Sequence, residues 1–262
     1  MQRWTDMQVA IVTGASSGIG FGCATKLAEQ GMAVLGTGRD EARLAELKSV
    51  EPDHIETLAV DLTTDDGPRQ IVDAALQRWG RIDFLINNAG VGKPKPLHET
   101  DDESLDYFLG LMLRAPFRLA REAVVHMQSG SAIINITSTF AVVGGLRGGA
   151  YSAAKGGLTS LTRHIACQYG PQGIRCNAVA PGVTLTPMVA SRLEDPRFRK
   201  INTEMTPYPR LGEVNDIAST VAFLCSDGAS FINGQEIVVD GGWTSTKYLS
   251  DFALNADWVA KQ

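Results

Sequence analysis

Short, almost wholly apolar stretches recur along the chain, at Val9–Val12, Ala33–Leu35, Leu58–Val60, Phe84–Ile86 and Ile133–Ile136. Runs of this kind are strands buried on both faces. Between them lie longer segments, Gly18–Gln30, Asp40–Val50, Thr64–Trp79 and Glu103–Met127, whose apolar residues return at helical spacing. Such alternation predicts a parallel sheet with helices on both faces, because each right-handed crossover carries the chain back to the same end of the sheet. Further strands are expected at Ile174–Ala180 and Glu236–Val239, giving seven in all.

No repeat, low-complexity tract or Ser/Gly linker divides the 262 residues, so a single domain over 1–262 is expected. The least regular stretch, 184–212, carries Pro187, Pro196, Pro207 and Pro209 and follows a strand end, where open α/β sheets bind ligands. It is expected to form a substrate lid. The 24 basic and 29 acidic residues leave a net charge of −5 with no block of like charge, which argues against nucleic acid or an anionic membrane as partner. Cys23, Cys167, Cys176 and Cys225 are far apart and read as small core hydrophobes; His54, His98, His126 and His164 lack zinc-ligand spacing, and no metal is expected. The start shows no signal-peptide pattern and no run reaches the roughly 18 apolar residues of a membrane span, so the expected location is the cytoplasm.

The segment Thr13-Gly14-Ala15-Ser16-Ser17-Gly18-Ile19-Gly20 follows the first strand and opens the first helix. Its glycines let the backbone turn sharply and approach a pyrophosphate, while the free N–H groups of the helix N-terminus favour an anion. No Gly-Lys-Ser/Thr follows, which disfavours a nucleotide-hydrolysing P-loop. Three further elements come in order: Asn87-Asn88-Ala89-Gly90 after the fourth strand, Tyr151-Ser-Ala-Ala-Lys155 on a helix, and Pro181-Gly182-Val183 followed by Thr186.

Together these motifs resemble the classical short-chain dehydrogenases/reductases over roughly Met7 to Trp243. The resemblance implies a Rossmann-type doubly wound sheet and an oxidoreductase that exchanges a hydride between a nicotinamide dinucleotide and a ketone or secondary alcohol. It assigns the glycine turn (Gly14, Ser16, Ser17, Gly18, Ile19, Gly20), Asp61, Leu62, Asn88, Ala89, Gly90, Pro181, Gly182, Val183 and Thr186 to the cofactor. A homotetramer or homodimer through the helices at Glu103–Met127 and Tyr151–Gly170 is also implied. At the end of the second strand Gly38 stands where relatives using NAD carry an acid, and Arg39 follows; a guanidinium pairs with a 2′-phosphate, so NADP(H) is preferred and NAD(H) stays possible.

Hydride transfer needs a positioned acid/base at the substrate oxygen. A free tyrosine has a pKa of about 10, and a nearby cation lowers it. On a helix Lys155 shares the face of Tyr151. By resemblance, Tyr151 is the acid/base, Lys155 tunes it and bonds the nicotinamide ribose, and Ser138, 13 positions before the tyrosine, stabilises the substrate oxygen. Thr137 and Thr139 are the alternatives at that position. Phe140, Val142, Val143, Leu146, Val183 and Leu185 are expected to line an apolar substrate pocket, with Lys93, Lys95 and Arg147 as cations for an anionic group.

One position departs from the family. Where relatives carry an asparagine that holds a water for proton relay to the lysine, this chain reads Met112-Leu113-Arg114-Ala115-Pro116-Phe117. A thioether lacks the paired donor and acceptor of an amide. Three rivals therefore stay open: an NAD-dependent dehydrogenase of the same fold, a cofactor-binding regulatory or scaffold protein with weakened catalysis, and an isomerase using bound nucleotide. Beyond Trp243, the tail 244–262 places Leu249, Phe252, Ala256 and Val259 at helical spacing, an amphipathic helix for a neighbouring subunit or the pocket.

Overall fold

The computed structural model describes residues 7–92, 95–145 and 147–246. Lys93, Leu146 and the expected helix in the tail lie outside the described residues.

Seven strands form one parallel sheet in the order β3-β2-β1-β4-β5-β6-β7, namely β1 (Val9–Thr13), β2 (Ala33–Gly38), β3 (Ile55–Ala59), β4 (Phe84–Asn87), β5 (Ala132–Ile136), β6 (Arg175–Pro181) and β7 (Glu236–Val239). Alternate strand residues feed two cores. Val9, Ile11, Leu85 and Ile133 pack with α3 (Gly67–Trp79), α5 (Ala115–Val124) and α7 (Gly149–Tyr169); Ala10, Val12, Ile86 and Ile134 pack with α1 (Gly18–Glu29) and α10 (Val214–Leu224). Burial on both faces explains the lack of polar alternation in these strands. The strand order reverses between β1 and β4, which opens a crevice at their carboxyl ends.

Three elements differ from expectation. β3 runs Ile55–Ala59 and not Leu58–Val60, because it is the sheet edge. Only Ile55 is buried, and Glu56 reaches outward to Lys48 at 2.6 Å and Arg78 at 3.5 Å, so the apolar run marks only the end of the strand, at Leu58 and Ala59. The expected helix Glu103–Met127 divides into α4 (Asp102–Leu109), a π-helical turn (Gly110–Arg114) and α5. Pro116 has no N–H for the Met112 carbonyl four residues earlier, so the regular ladder cannot pass this point.

In the expected lid, the prolines begin helices. α8 (Pro187–Leu193) and α9 (Pro196–Glu204) each carry proline in the first turn, and Asp195 caps α9 by accepting from Arg197 N at 2.8 Å. Cys167 is exposed on α7, unlike the buried Cys23, Cys176 and Cys225. No helix among the described residues is long and apolar enough to cross a membrane.

Between α3 and β4, Asp83 ties the entry of the two central strands. Its carboxylate accepts from Val9 N at 2.7 Å and from Arg81 Nε and Nη2 at 2.9 and 2.7 Å. Removing a buried charged acceptor strands its donors, at a cost of about 2 kcal/mol. Asp83→Ala is therefore expected to lower the unfolding free energy by that amount, seen as a lower urea midpoint at an unchanged slope, and an unaltered midpoint would show that water replaces the carboxylate without loss.

Candidate active site

The crevice is built from the β1–α1 turn and the exit of β4. Gly14 and Gly18 have φ of +65° and +54°, a left-handed conformation that favours glycine. A Cβ on Gly14 would lie 2.8 Å from Ala89 Cα, so the two segments pack backbone to backbone. Thr13 Oγ1 accepts from Asn88 N at 3.0 Å and Ala89 N at 3.1 Å, while Asn88 Nδ2 donates to Thr13 O at 2.9 Å. No acidic residue occupies the first turn of α1, and the Ser17 side chain makes no capping bond, which leaves the N-terminal amides for a ligand anion.

Gly14, Ser16, Ser17, Gly18, Ile19, Asn88, Ala89 and Gly90 line one groove together with Arg39, Asp61, Leu62 and Thr186. The glycine cradle and its free amides fit the pyrophosphate of a dinucleotide. At the far end Arg39 is exposed and lies 3.9 Å from Asp61. Hydrogen bonds from Thr63 N and Oγ1, at 2.8 and 2.7 Å, hold the Asp61 carboxyl below its usual range, with Arg39 adding to the effect.

Beyond the groove opens a cavity of about 240 Å³ that contains Ser138, Tyr151 and Lys155. Ser138 follows β5 and caps the short α6 (Thr139–Val142), accepting from Phe140 N at 3.2 Å; its hydroxyl lies close enough to Tyr151 to pull the phenol's pKa down. The alternatives Thr137 and Thr139 also line the cavity, but the Thr137 hydroxyl is engaged elsewhere, its one proton shared between Val179 O at 3.1 Å and Glu236 Oε1 at 2.7 Å. Phe108 and Phe140 meet the Tyr151 ring edge to face, with centroids 6.5 and 6.3 Å away. One helical turn on, Lys155 Nζ sits 5.8 Å from the Tyr151 ring centroid and donates to Ile136 O at 2.7 Å.

Burial sets the electrostatics of this pair. It pushes the Tyr151 hydroxyl above its usual pKa, against the opposing pulls of the Ser138 hydrogen bond and the Arg192 charge. The same burial lowers Lys155 to about 8. Met112 is fully buried in the π-helical turn, with its sulfur against Gly90, where a Cβ would approach Sδ to 3.2 Å.

Pro181, Gly182, Val183, Thr186 and Phe140 line the cavity. Of the other residues expected in the substrate pocket, Val142 and Leu185 are exposed and Val143 is partly buried, and none of the three is in this wall. Lys95 pairs with Asp101 at 3.1 Å, and Arg147 is exposed outside the wall. The wall instead includes Met188 and Arg192 of α8, Phe198 and Asn202 of α9, and Trp243 after β7, none of which was singled out by motif. Met188 and Arg192 stand four residues apart, the spacing of one helix face, so once α8 is recognised the sequence does contain that signal.

A family model described as enoyl-(acyl carrier protein) reductase matches residues 14–244. The chain is 38% identical to cis-4-hydroxycyclohexanecarboxylate dehydrogenase of Sinomonas cyclohexanicum, over 91% of this chain and 97% of that protein. It is 36% identical to levodione reductase of Leifsonia aquatica, over 92% and 95% of the two chains. The crystal structure of a 3-ketoacyl-(acyl-carrier-protein) reductase from Brucella melitensis complexed with NADH superposes with a TM-score of 0.83 at 32% identity, covering 90% of this chain and 98% of that one. With its seven-stranded parallel sheet, glycine cradle and Ser–Tyr–Lys cluster, the chain belongs to the classical short-chain dehydrogenase/reductase family and is an NAD(P)-dependent oxidoreductase.

Proposed function

We propose that the protein interconverts a secondary alcohol and a ketone with NADP(H) preferred, using Tyr151 as acid/base. The observation that carries this reading is the gathering of Ser138, Tyr151 and Lys155 in the cavity that adjoins the glycine groove. When bound, the nicotinamide supplies or takes the hydride at the substrate carbon. Tyr151 gives its proton to the substrate oxygen on reduction and recovers it on oxidation, while the Ser138 hydroxyl stabilises charge on that oxygen. Lys155, anchored to Ile136 O, stands at the floor of the cavity, in place to hold the nicotinamide ribose. A relative named for a hydroxycyclohexanecarboxylate supports a cyclic alcohol as substrate, and the apolar wall of Phe140, Val183, Met188 and Trp243 suits a ring.

NADP(H) preference rests on Arg39, exposed at the groove with Gly38 before it in place of an acid. Asp61 is its nearby carboxylate, and a 2′-phosphate would compete with that weak, solvated contact. The weakened-catalysis alternative rests on Met112, whose buried thioether offers no proton path at that position.

Three measurements test the reading. Tyr151→Phe is expected to lower kcat by about 10²- to 10⁴-fold with the dinucleotide Kd unchanged; a retained rate would end the assignment. In paired titrations at fixed ionic strength, NADPH is expected to bind about tenfold tighter than NADH, about 1.4 kcal/mol, and Arg39→Ala to erase the difference. Tighter NADH binding would reverse the cofactor preference. Met112→Asn is expected to raise kcat several-fold if the missing amide limits proton relay, and no gain would show that protons reach Lys155 by another route.

A further inference from the structure

The cavity contains more hydrogen-bond donors than its acceptors use. Three charged side chains line it among the described residues, Lys155, Asp240 and Arg192. Lys155 donates to Ile136 O at 2.7 Å. Asp240 is occupied by its own turn, accepting from Gly242 N at 2.8 Å and from Thr244 N and Oγ1 at 2.8 and 2.7 Å. Arg192 has neither an ion pair nor a side-chain hydrogen bond among the described residues, whereas Arg81 and Arg210 pair bidentately with Asp83 and Asp216. The buried indole N–H of Trp243, another wall residue, also lacks an acceptor.

Arg192 is nevertheless held in place. Its guanidinium lies over the Phe198 ring, 5.4 Å from the centroid, which couples α8 to α9. A Cβ on Gly92 would come within 3.7 Å of Nη2, so the group reaches across to the segment after β4. Its charge is felt at the Tyr151 hydroxyl. A guanidinium stacked on an aromatic face keeps its edge N–H groups free, and that edge fits the two oxygens of a carboxylate.

We propose that Arg192 is the receptor for a carboxylate on the substrate, so that the protein acts on a hydroxy acid and its oxo acid and selects them over neutral alcohols and ketones. This rests on the alcohol–ketone reading above and names the substrate class of the same site. An uncompensated carboxylate would be expelled from so apolar a cavity, and one guanidinium supplies the single opposite charge it needs. Arg192 is a specificity residue; the proton chemistry remains with Tyr151.

The test separates binding from turnover. Cyclohexanecarboxylate and cyclohexanecarboxamide, neither of which has a hydroxyl to oxidise, are titrated calorimetrically into the dinucleotide-loaded protein. The acid is expected to bind at least tenfold tighter than the amide, Arg192→Gln to bring the ratio close to one, and Arg192→Lys to restore part of it. In turnover, 4-oxocyclohexanecarboxylate is expected to exceed its carboxamide in kcat/KM through KM, with the preference lost in Arg192→Gln. Failure of the acid to bind, equal binding of acid and amide, or an equal loss of both in Arg192→Gln overturns the proposal. So does weakened dinucleotide binding in that variant, which would assign Arg192 to the cofactor's pyrophosphate. Acid-selective binding without turnover of any ketone would instead overturn the alcohol–ketone reading, and turnover of neutral ketones without acid preference would overturn the carboxylate receptor alone.

Discussion

The hydroxyl of Thr13 is the joint on which the site turns. It donates to Ile86 O at 3.3 Å and accepts from the N–H groups of Asn88 and Ala89, fixing the end of β1 against the end of β4 where the sheet changes direction. Strands that diverge at a switch point leave a gap, and a ligand uses that gap only if its two lips keep a fixed spacing. Here both lips are backbone, interlocked by Thr13 and by the Asn88 amide. The glycine cradle and the Asn88–Gly90 wall therefore move as one body, and the cavity beyond them has a rigid entrance.

The Tyr151–Lys155 pair is governed by burial in two opposite senses. Withdrawal from water raises the tyrosine and lowers the lysine, because each change disfavours the charged form. A neutral phenol is thereby kept as a proton donor, and the ammonium stays charged mainly below pH about 8. Ser138 and Arg192 act against this trend at the phenolic oxygen. On the proposed reading, a substrate carboxylate at Arg192 would cancel part of that pull, so that recognition and acid strength would be linked through one cation.

Much of this was legible in the sequence, for reasons that differ by position. The central strands declare themselves because both their faces are covered, and Glu236–Val239 coincides with its expected limits. β3 is legible only at its C-terminal end, where Leu58 and Ala59 fall in an apolar run, because Glu56 and Thr57 break the pattern before it. Pro116 was visible, but its consequence, a π-helical turn around Met112, depends on the missing backbone donor and was not read from periodicity. Pro187 and Pro196 give the sequence an irregular look, although proline is at home in a first helical turn.

Arg192 escaped for a deeper reason. The motif residues sit at strand ends and on α7, where the sheet alone determines their positions. Arg192 gains its meaning only when α8 and α9 fold back over the cavity, and nothing in its local sequence separates it from a solvated arginine. The excursion is pinned at its neck by Leu185 N to Gly212 O at 2.8 Å and Gly212 N to Val183 O at 3.0 Å, with Tyr208 N to Gly241 O at 3.1 Å farther in. Between those bonds its side chains can change without disturbing the sheet. On the proposed reading, proton transfer would depend on the strand-end frame and substrate choice on this segment, whose composition that frame does not constrain, which is why motifs identify a reaction more readily than the molecule on which it acts.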